Sequence, residues 1–545
     1  MHGFTRKRIA VGAAALLALL LATLWFFPAE PSYEGKKVSV WLRDLRETQL
    51  GATNREVAAL VEIGPACLPY LTRQLKLKDS SQEDLYRRLW KKAPASFRKH
   101  LPLGPTRMER RAAAAFALKQ IGPAAAIATP ELVNALNDPS PQVRRLAAEA
   151  LRDTEARGPA SLNALRRALK DPDSMVRGRA EEALWQMGPQ AEPAIPDLAE
   201  LLKDPGHAYM GALCLGAIGP PARLTVPSLV EVLKQGAVGD PSQVHFQNTT
   251  GNLFHLQNHN RAMAAEALGK IGIATQPVIR ALANAAQTCD ESRQAETAAE
   301  ALGKLNAYPE LAIPALENAL ANTNTLVAMT ACKALAAFGP AAAHAIPLLT
   351  DIMHQPPRRP NYASDICLPV VAADALCQIN PENRPLALPV LMNGLGNCYQ
   401  AYTALLAQTN IPRTYQPELR EKLKNAKDYT AVFTAHILYT IDPNDPEPLR
   451  VINEILTQTT NSARACAAFT LWKMTGDANL SLSVLTALLQ ERIDSPATQA
   501  YPQYLAEMGE AAKPALPALR QALWHRHIYT RSQAGKALRR LDPQP

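Results

Sequence analysis

Apolar residues recur along the chain at helical spacing, in short runs cut by glycine and proline. Residues 180–219 give the unit: AEEALWQMGPQAEPAIPDLAELLKDPGHAYMGALCLGAIG. Ala180, Ala183, Leu184 and Met187 fall on one helical face, and Leu198, Leu201 and Leu202 on a second. Gly188 stands where a helix closes on a left-handed residue, and Pro189 blocks its continuation. Pro196 opens the second helix, where its missing N–H leaves no bond unmade. Lys203-Asp204-Pro205 closes that helix. One antiparallel pair of this kind has little core of its own and must stack on a neighbour.

The unit recurs. Helix-end markers fall at Gly64, Gly122, Gly158, Gly188, Gly219, Gly272, Gly303, Gly339, Asn380, Asp442, Gly476, Gly509 and Asp542. Most intervals are 30 to 41 residues, and 380–442 fits two repeats with Asn410-Ile411-Pro412 between them. Pro130, Pro196, Pro227, Pro314, Pro347, Pro389 and Pro517 are read as starts of second helices. The pattern predicts an all-α, right-handed α-solenoid of about thirteen stacked antiparallel helix pairs, closed by a terminal helix over 528–541. At 8–10 Å per neighbour, an open stack would run roughly 110–130 Å.

Two stretches break the rhythm. Residues 82–111 read as one basic amphipathic helix and an irregular link, and 236–258 as an inserted loop. The predicted organisation is a basic N-terminus (1–8), an apolar span (9–27), a linker (28–37), first helices of a capping repeat (38–77) and the basic insertion (78–109). Repeats follow over 110–235, then the insertion 236–258, then repeats and the terminal helix over 259–541.

The span 9–27, IAVGAAALLALLLATLWFF, holds nineteen residues without a charge, preceded by Arg6-Lys7-Arg8 and ending in Trp25-Phe26-Phe27. About 20 helical residues cross a bilayer core, basic flanks stay in the cytoplasm, and aromatic residues favour the interface. No small-x-small cleavage site follows. The expected location is therefore a bacterial inner membrane, single-pass, with the N-terminus cytoplasmic and the repeats periplasmic. The alternative is export after signal cleavage.

Aromatic residues are only 6% of the chain, which suits closely packed helices. The 44 prolines cluster at helix starts and ends, so they do not indicate disorder. The net charge is +9, yet twelve Lys/Arg against four Asp/Glu lie between Arg73 and Arg111. The basic excess is local, which argues against a whole surface gripping nucleic acid. Eight cysteines are scattered with no C-x-x-C, several within Ala/Leu-rich runs such as Ala331-Cys332-Lys333-Ala334. They read as buried small apolar residues. An oxidising compartment would permit a disulfide such as Cys367–Cys377.

The Gly-Pro junctions, the starts Ala194-Ile195-Pro196, Ala312-Ile313-Pro314 and Ala345-Ile346-Pro347, and the Asp-Pro…Val-Arg links resemble HEAT repeats of the short bacterial kind, also found in phycobilin lyases. The links are Asp138-Pro139 with Val143-Arg144, and Asp171-Pro172 with Val176-Arg177. The resemblance implies a ladder between neighbouring repeats through Asp138, Arg144, Asp171 and Arg177. Copies from Asn380 on lack the Val-Arg link. Tyr33-Glu34-Gly35-Lys36-Lys37 with Trp41-Leu42-Arg43-Asp44-Leu45 resembles the start of membrane-anchored HEAT-repeat proteins of verrucomicrobia, which implies architecture and little about activity.

Candidate chemistry is sparse. HEAT-like hydroxylases bind metal through His-Glu dipeptides, and none of the eleven histidines here precedes Glu. His255 and His259 have a spacing that can hold zinc on a helix, but Asp240 is the one acid within that insertion. His525-Arg526-His527 reads as a solvated turn. No phosphate loop, G-x-S-x-G elbow or H-E-x-x-H occurs, so no catalytic residue, cofactor or metal is expected. The specific hint is the basic segment. Arg87, Arg88, Lys91, Lys92, Arg98 and Lys99 would meet an anionic surface, such as lipid headgroups, with Tyr86, Trp90 and Phe97 as apolar anchors. The expected function is a non-enzymatic, membrane-anchored scaffold that holds other proteins on the concave face of the solenoid. The first alternative is an anionic-surface binder acting through 82–111, and the second a lyase-type enzyme or subunit.

Overall fold

The junction between paired helices depends on glycine. Gly122 and Gly188 sit at φ +76°, ψ −141° and φ +60°, ψ −130°, backbone that side-chain-bearing residues avoid. Each reverses the chain into a 3-10 turn, Gly122–Ala128 and Gly188–Ala194, from which Thr129–Ala135 and Ile195–Leu201 start with proline in their first turn. The same device recurs at Gly219, Gly339 and Gly509. A computed structural model describes residues 30–45, 55–94, 98, 104–234, 253–287, 292–356, 362–408, 411–458, 463–491 and 500–542. The predicted anchor 9–27, residue Lys99 and most of the insertion 236–258 lie outside the described residues.

Among the described residues the chain is an all-α solenoid. Two short strands, Ser32–Tyr33 and Lys36–Lys37, form a hairpin in the register Ser32↔Lys37 and Tyr33↔Lys36. First helices stack side by side through Arg107–Ile121, Pro141–Asp153, Ser174–Met187, Ala208–Ile218, Leu253–Ile271, Ser292–Leu305, Thr325–Phe338 and Ala363–Ile379. Their shared faces are alanine and glycine. A Cβ added at Gly216 would lie 2.9 Å from Ala267 Cα, and one at Gly303 2.8 Å from Ala334 Cα. Small residues thus let neighbouring backbones approach closely, and the core runs along the stack as one continuous cluster.

Three sequence readings change. Gly303 does not end a helix; it lies inside Ser292–Leu305, and Asn306 supplies the left-handed turn at φ +42°. Gly158 starts Pro159–Ala168, and Glu155 takes the left-handed position before it at φ +55°. Pro314 and Pro389 lie inside Pro309–Leu320 and Arg384–Gly394, because those helices begin about a turn earlier than predicted.

The cysteines also differ from one expectation. Cys67, Cys214, Cys332, Cys377 and Cys466 are buried thiols. Cys367 pairs with Cys398, not Cys377, at a Cα–Cα distance of 5.6 Å. Cys367 and Cys377 share the helix Ala363–Ile379, where ten residues separate them by about 15 Å. Cys398 immediately precedes the next first helix, Tyr399–Ala407, so the bond staples consecutive repeats.

The stack is not an open rod. The last helix, Ile528–Leu541, lies against the junction Gly122–Ala128. Arg531 donates to the carbonyl of Gln120, Arg539 pairs with Glu155, and a Cβ at Gly535 would meet Pro123 at 3.0 Å. Small rotations between successive pairs sum until the path returns on itself, so the length expected of an open stack describes only its contour. Two stretches, Arg107–Ala135 and Thr325–His354, are apolar and long enough to cross a membrane by length and composition. Each is a first and a second helix folded about a left-handed glycine, and more than half buried in the stack.

Candidate interaction surfaces

The repeat ladder is built from an Asx-turn and a fork. Asp138 and Asp171 each accept from the backbone N–H two residues on, at 2.9 Å, which fixes the turn before the next first helix. Arg144 then reaches forward. Its Nε and Nη2 each lie 2.8 Å from an Asp171 oxygen, while Nη1 donates back to the carbonyls of Asp138 and Pro139. The Arg144 guanidinium holds the Asp171 carboxyl below the usual carboxylate range. Arg111 does the same one repeat earlier, at 2.6 Å from Asp138 and 2.7 Å from Asp79. Arg177 donates to the carbonyls of Asp171 and Pro172. The structure therefore brings Asp138, Arg144, Asp171 and Arg177 into one run.

A second ionic row escaped the sequence reading. Glu149 accepts from Lys119 and lies 2.9 Å from Arg179, and Glu182 receives Arg152 and Arg179. The signal was the recurrence of Glu and a basic residue at one helical register, visible in Ala147-Ala148-Glu149 and Ala180-Glu181-Glu182. His525 was also misread. It is buried, and its Nδ1 accepts from His527 N at 3.0 Å, doing the turn-fixing work of the ladder aspartates. His259 packs its ring on Tyr209, centroids 5.0 Å apart. Among the described residues no three His, Cys, Asp or Glu side chains gather as metal ligands.

The basic segment forms the helix Ser81–Lys92, with Glu83 and Asp84 in its first turn and Lys91 and Lys92 in its last, each favourable to the helix dipole. None of its residues is buried. Leu85, Tyr86 and Leu89 are 56%, 46% and 60% exposed, and they lie within one face at spacings of one, three and four residues. Arg88, Lys91 and Lys92 are exposed beside them. Arg87 turns inward to Glu83 at 3.2 Å and to the Gly104 carbonyl. Arg98 lies over the Trp90 ring, 5.7 Å from its centroid.

An aromatic tract crosses four consecutive first helices: Tyr399–Ala407, Asp428–Ile441, Arg464–Thr475 and Ala500–Met508. Tyr402 stacks on Phe433 at 4.2 Å and Phe469 on Tyr504 at 4.8 Å. Tyr399 and Tyr429 flank Phe433 and remain 61% and 39% exposed. Tyr402 Oη lies 2.8 Å from Nδ1 of buried His436. Burial, with Lys473 nearby, pulls that imidazole down to about 4. A free histidine titrates near 6.5, so between these values the unfolded chain binds the extra proton. Stability held by neutral His436 is therefore complete above about 6.5 and lost as the pH falls toward 4, by about 3 kcal/mol for this site. His436→Asn keeps an acceptor for Tyr402 and removes the titration. Urea midpoints measured from pH 4 to 7 are expected to fall less steeply in this variant; an unchanged slope would assign the acid sensitivity to other groups.

These elements define the class: an α-solenoid of paired helices held by an inter-repeat Asp–Arg ladder. More particularly, residues 107–185 and 129–219 match the family model described as HEAT repeats. No curated protein matches the chain in sequence. Among solved structures it is similar to yeast importin-beta, Kap95p, at 12% identity and a TM-score of 0.48, covering 88% of this chain and 67% of that one. A structure of Kap95p binding RanGDP gives 12% identity and a TM-score of 0.41, covering 85% and 66%. The phycocyanin lyase complex of CpcE and CpcF from a Nostoc species gives 19% and 0.27, covering 54% and 92%. The chain spans about two thirds of the length of the Kap95p chains.

Proposed function

We propose that this protein is a membrane-anchored scaffold that binds other proteins on its stacked helices, without catalysis of its own. The observation that carries the reading is the aromatic tract, whose rim residues Tyr399 and Tyr429 stay exposed beside partly buried Phe433, itself stacked on buried Tyr402. Rigid tyrosines on a fixed helical frame present large contact area at low entropic loss, the composition of protein-binding hot spots. The span 9–27 supports an inner-membrane anchor with periplasmic repeats, and the Cys367–Cys398 bond supports an oxidising compartment.

The test is a crosslinked pulldown from native membranes through a C-terminal tag, quantified by mass spectrometry. Tyr399→Ala/Tyr429→Ala is expected to reduce the principal partner at least tenfold, as is removal of residues 174–340 if the partner also spans the central repeats. A clean pulldown, or a stoichiometric pigment or metal in its place, would overturn the scaffold in favour of a lyase-type activity.

A second reading, attachment of the basic helix to an anionic surface, is favoured by Leu85, Tyr86 and Leu89, which lie exposed beside a cationic flank. Each exposed cation near an anionic bilayer is worth about 1 kcal/mol. Its mark is protection of Ser81–Lys92 at an anionic membrane that fades with added salt.

A further inference from the structure

The repeat ladder stops at one joint. Arg144 and Arg177 stand six residues after Asp138 and Asp171, but Met210 stands six after Asp204. Asp204 still fixes its turn, accepting from Gly206 N at 2.9 Å. Arg177 donates to the carbonyls of its own turn, those of Asp171 and Pro172, and makes no fork with Asp204. The preceding joint carries the Arg144–Asp171 fork together with Arg152–Glu182 and Arg179–Glu149. Here, among the described residues, the ion pair that crosses from the repeat of Ser174–Met187 to that of Ala208–Ile218 is a titratable one: His207 Nδ1 lies 2.6 Å from Glu181 Oε1. We propose that this joint is a proton-operated hinge in the solenoid: charged His207 stiffens it, and loss of the proton lets it flex.

Burial makes the pair matter. The Glu181 side chain is 2% exposed, and a buried carboxylate is costly unless a cation is paired with it. Neutral His207 can still present an N–H to it, but no charge. The surroundings set the direction. The hydrogen bond to Glu181 raises the His207 pKa above its ordinary 6.5; the charges of Glu181 and Asp204 add to this, while burial and Arg177 oppose it. Next on the helix, Tyr209 faces Glu181, Glu182 and Arg179, and its ring meets His259 of the following first helix. Burial and Arg293 lower the His259 pKa against Glu266, so His259 is already neutral where His207 changes charge. Stability from the charged pair is complete below 6.5 and lost as the pH rises through the raised value. At the preceding joint the Arg144 guanidinium keeps its charge over the same range, so the loss falls on this joint.

Hydrogen exchange on the full chain, corrected for the intrinsic pH dependence of the rate, tests the joint between about pH 5.5 and 8.5. Residues 174–219 are expected to exchange roughly tenfold faster at the alkaline end, the worth of one hydrogen bond to a charged group, while 363–407 hold steady. Two substitutions should fix opposite ends of that profile. His207→Arg carries a permanent charge and should stay at the slow, acid-side rate throughout. His207→Asn offers an uncharged donor and should stay at the fast, alkaline-side rate. Glu181→Gln removes the charge from the other partner and should flatten the profile without touching His207. Small-angle scattering of the parent should show a larger radius of gyration at the alkaline end, and His207→Arg should not. A flat exchange profile in the parent, or a slope that survives in His207→Asn or Glu181→Gln, overturns the proposal. Faster exchange in 174–219 with an unchanged radius also overturns it, because the pair would then hold its own helix without bending the stack.

Discussion

Replacing Cys367 and Cys398 with serine is expected to lower the stability of the repeats around them by about 3–4 kcal/mol. The bond closes a loop with a sequence separation of 31 residues, and restricting an unfolded loop of that size accounts for such a value. The effect should be regional. In a solenoid each repeat contacts mainly its neighbours, so losing a staple between two repeats uncouples the stack there before it melts elsewhere. Hydrogen exchange across 363–407 should accelerate by two orders of magnitude or more, while 107–219 changes little. Reductant should do the same to the parent protein and nothing further to the serine variant. Thiol labelling of the denatured, unreduced chain gives an independent check: six of the eight cysteines should react if the bond forms in the native compartment. Eight reactive thiols would refute the staple and, with it, the structural support for oxidising surroundings.

The staple shows what a sequence reading can and cannot reach. Helix pairs were legible because glycine and proline act locally: Gly188 and Pro196 fix a turn whatever lies beyond it. The ladder was legible because Asp138 and Arg144 recur at one repeat's spacing as Asp171 and Arg177. Gly303 misled for the opposite reason. Its role is set by Ala334 one repeat away, and a glycine required for close approach looks the same in sequence as one required for a turn. The disulfide partner was hidden in the same way, since only the stacking of consecutive first helices brings Cys398 to Cys367 and leaves Cys377 along the helix. The basic helix was legible by composition, but not the inward turn of Arg87, because one of its partners, the Gly104 carbonyl, lies seventeen residues away beyond the helix. The aromatic tract was missed since Tyr402, Phe433, Phe469 and Tyr504 each resemble an isolated core residue.

Closure of the solenoid has the largest consequence for shape, and Arg531 is where to break it. This residue is 1% exposed and occupies the ladder position of the last repeat. As Arg144 does with Asp138 and Pro139, it donates Nη1 to the carbonyls six and five residues back, those of His525 and Arg526. Arg144 then meets the next repeat's aspartate. The outward nitrogen of Arg531 instead meets the carbonyl of Gln120 in an early repeat. Burial lowers its pKa to about 10, still charged at neutral pH, and the carbonyls around it take the place of an anionic partner. Arg531→Met preserves much of the volume but strands those carbonyls, at about 1–3 kcal/mol for each buried group left unpaired. The last repeat should therefore fray first, with hydrogen exchange in 500–541 at least a hundredfold faster. A second variant separates local fraying from opening of the seam. Gly535→Leu would leave the Arg531 bonds to its own turn, but its Cβ meets Pro123 at 3.0 Å and the rest of its side chain has no room. Small-angle scattering should record a larger radius of gyration for Gly535→Leu, with 500–541 still protected. An unchanged radius in both variants would mean that the last helix and the early junction are held together by something other than this contact.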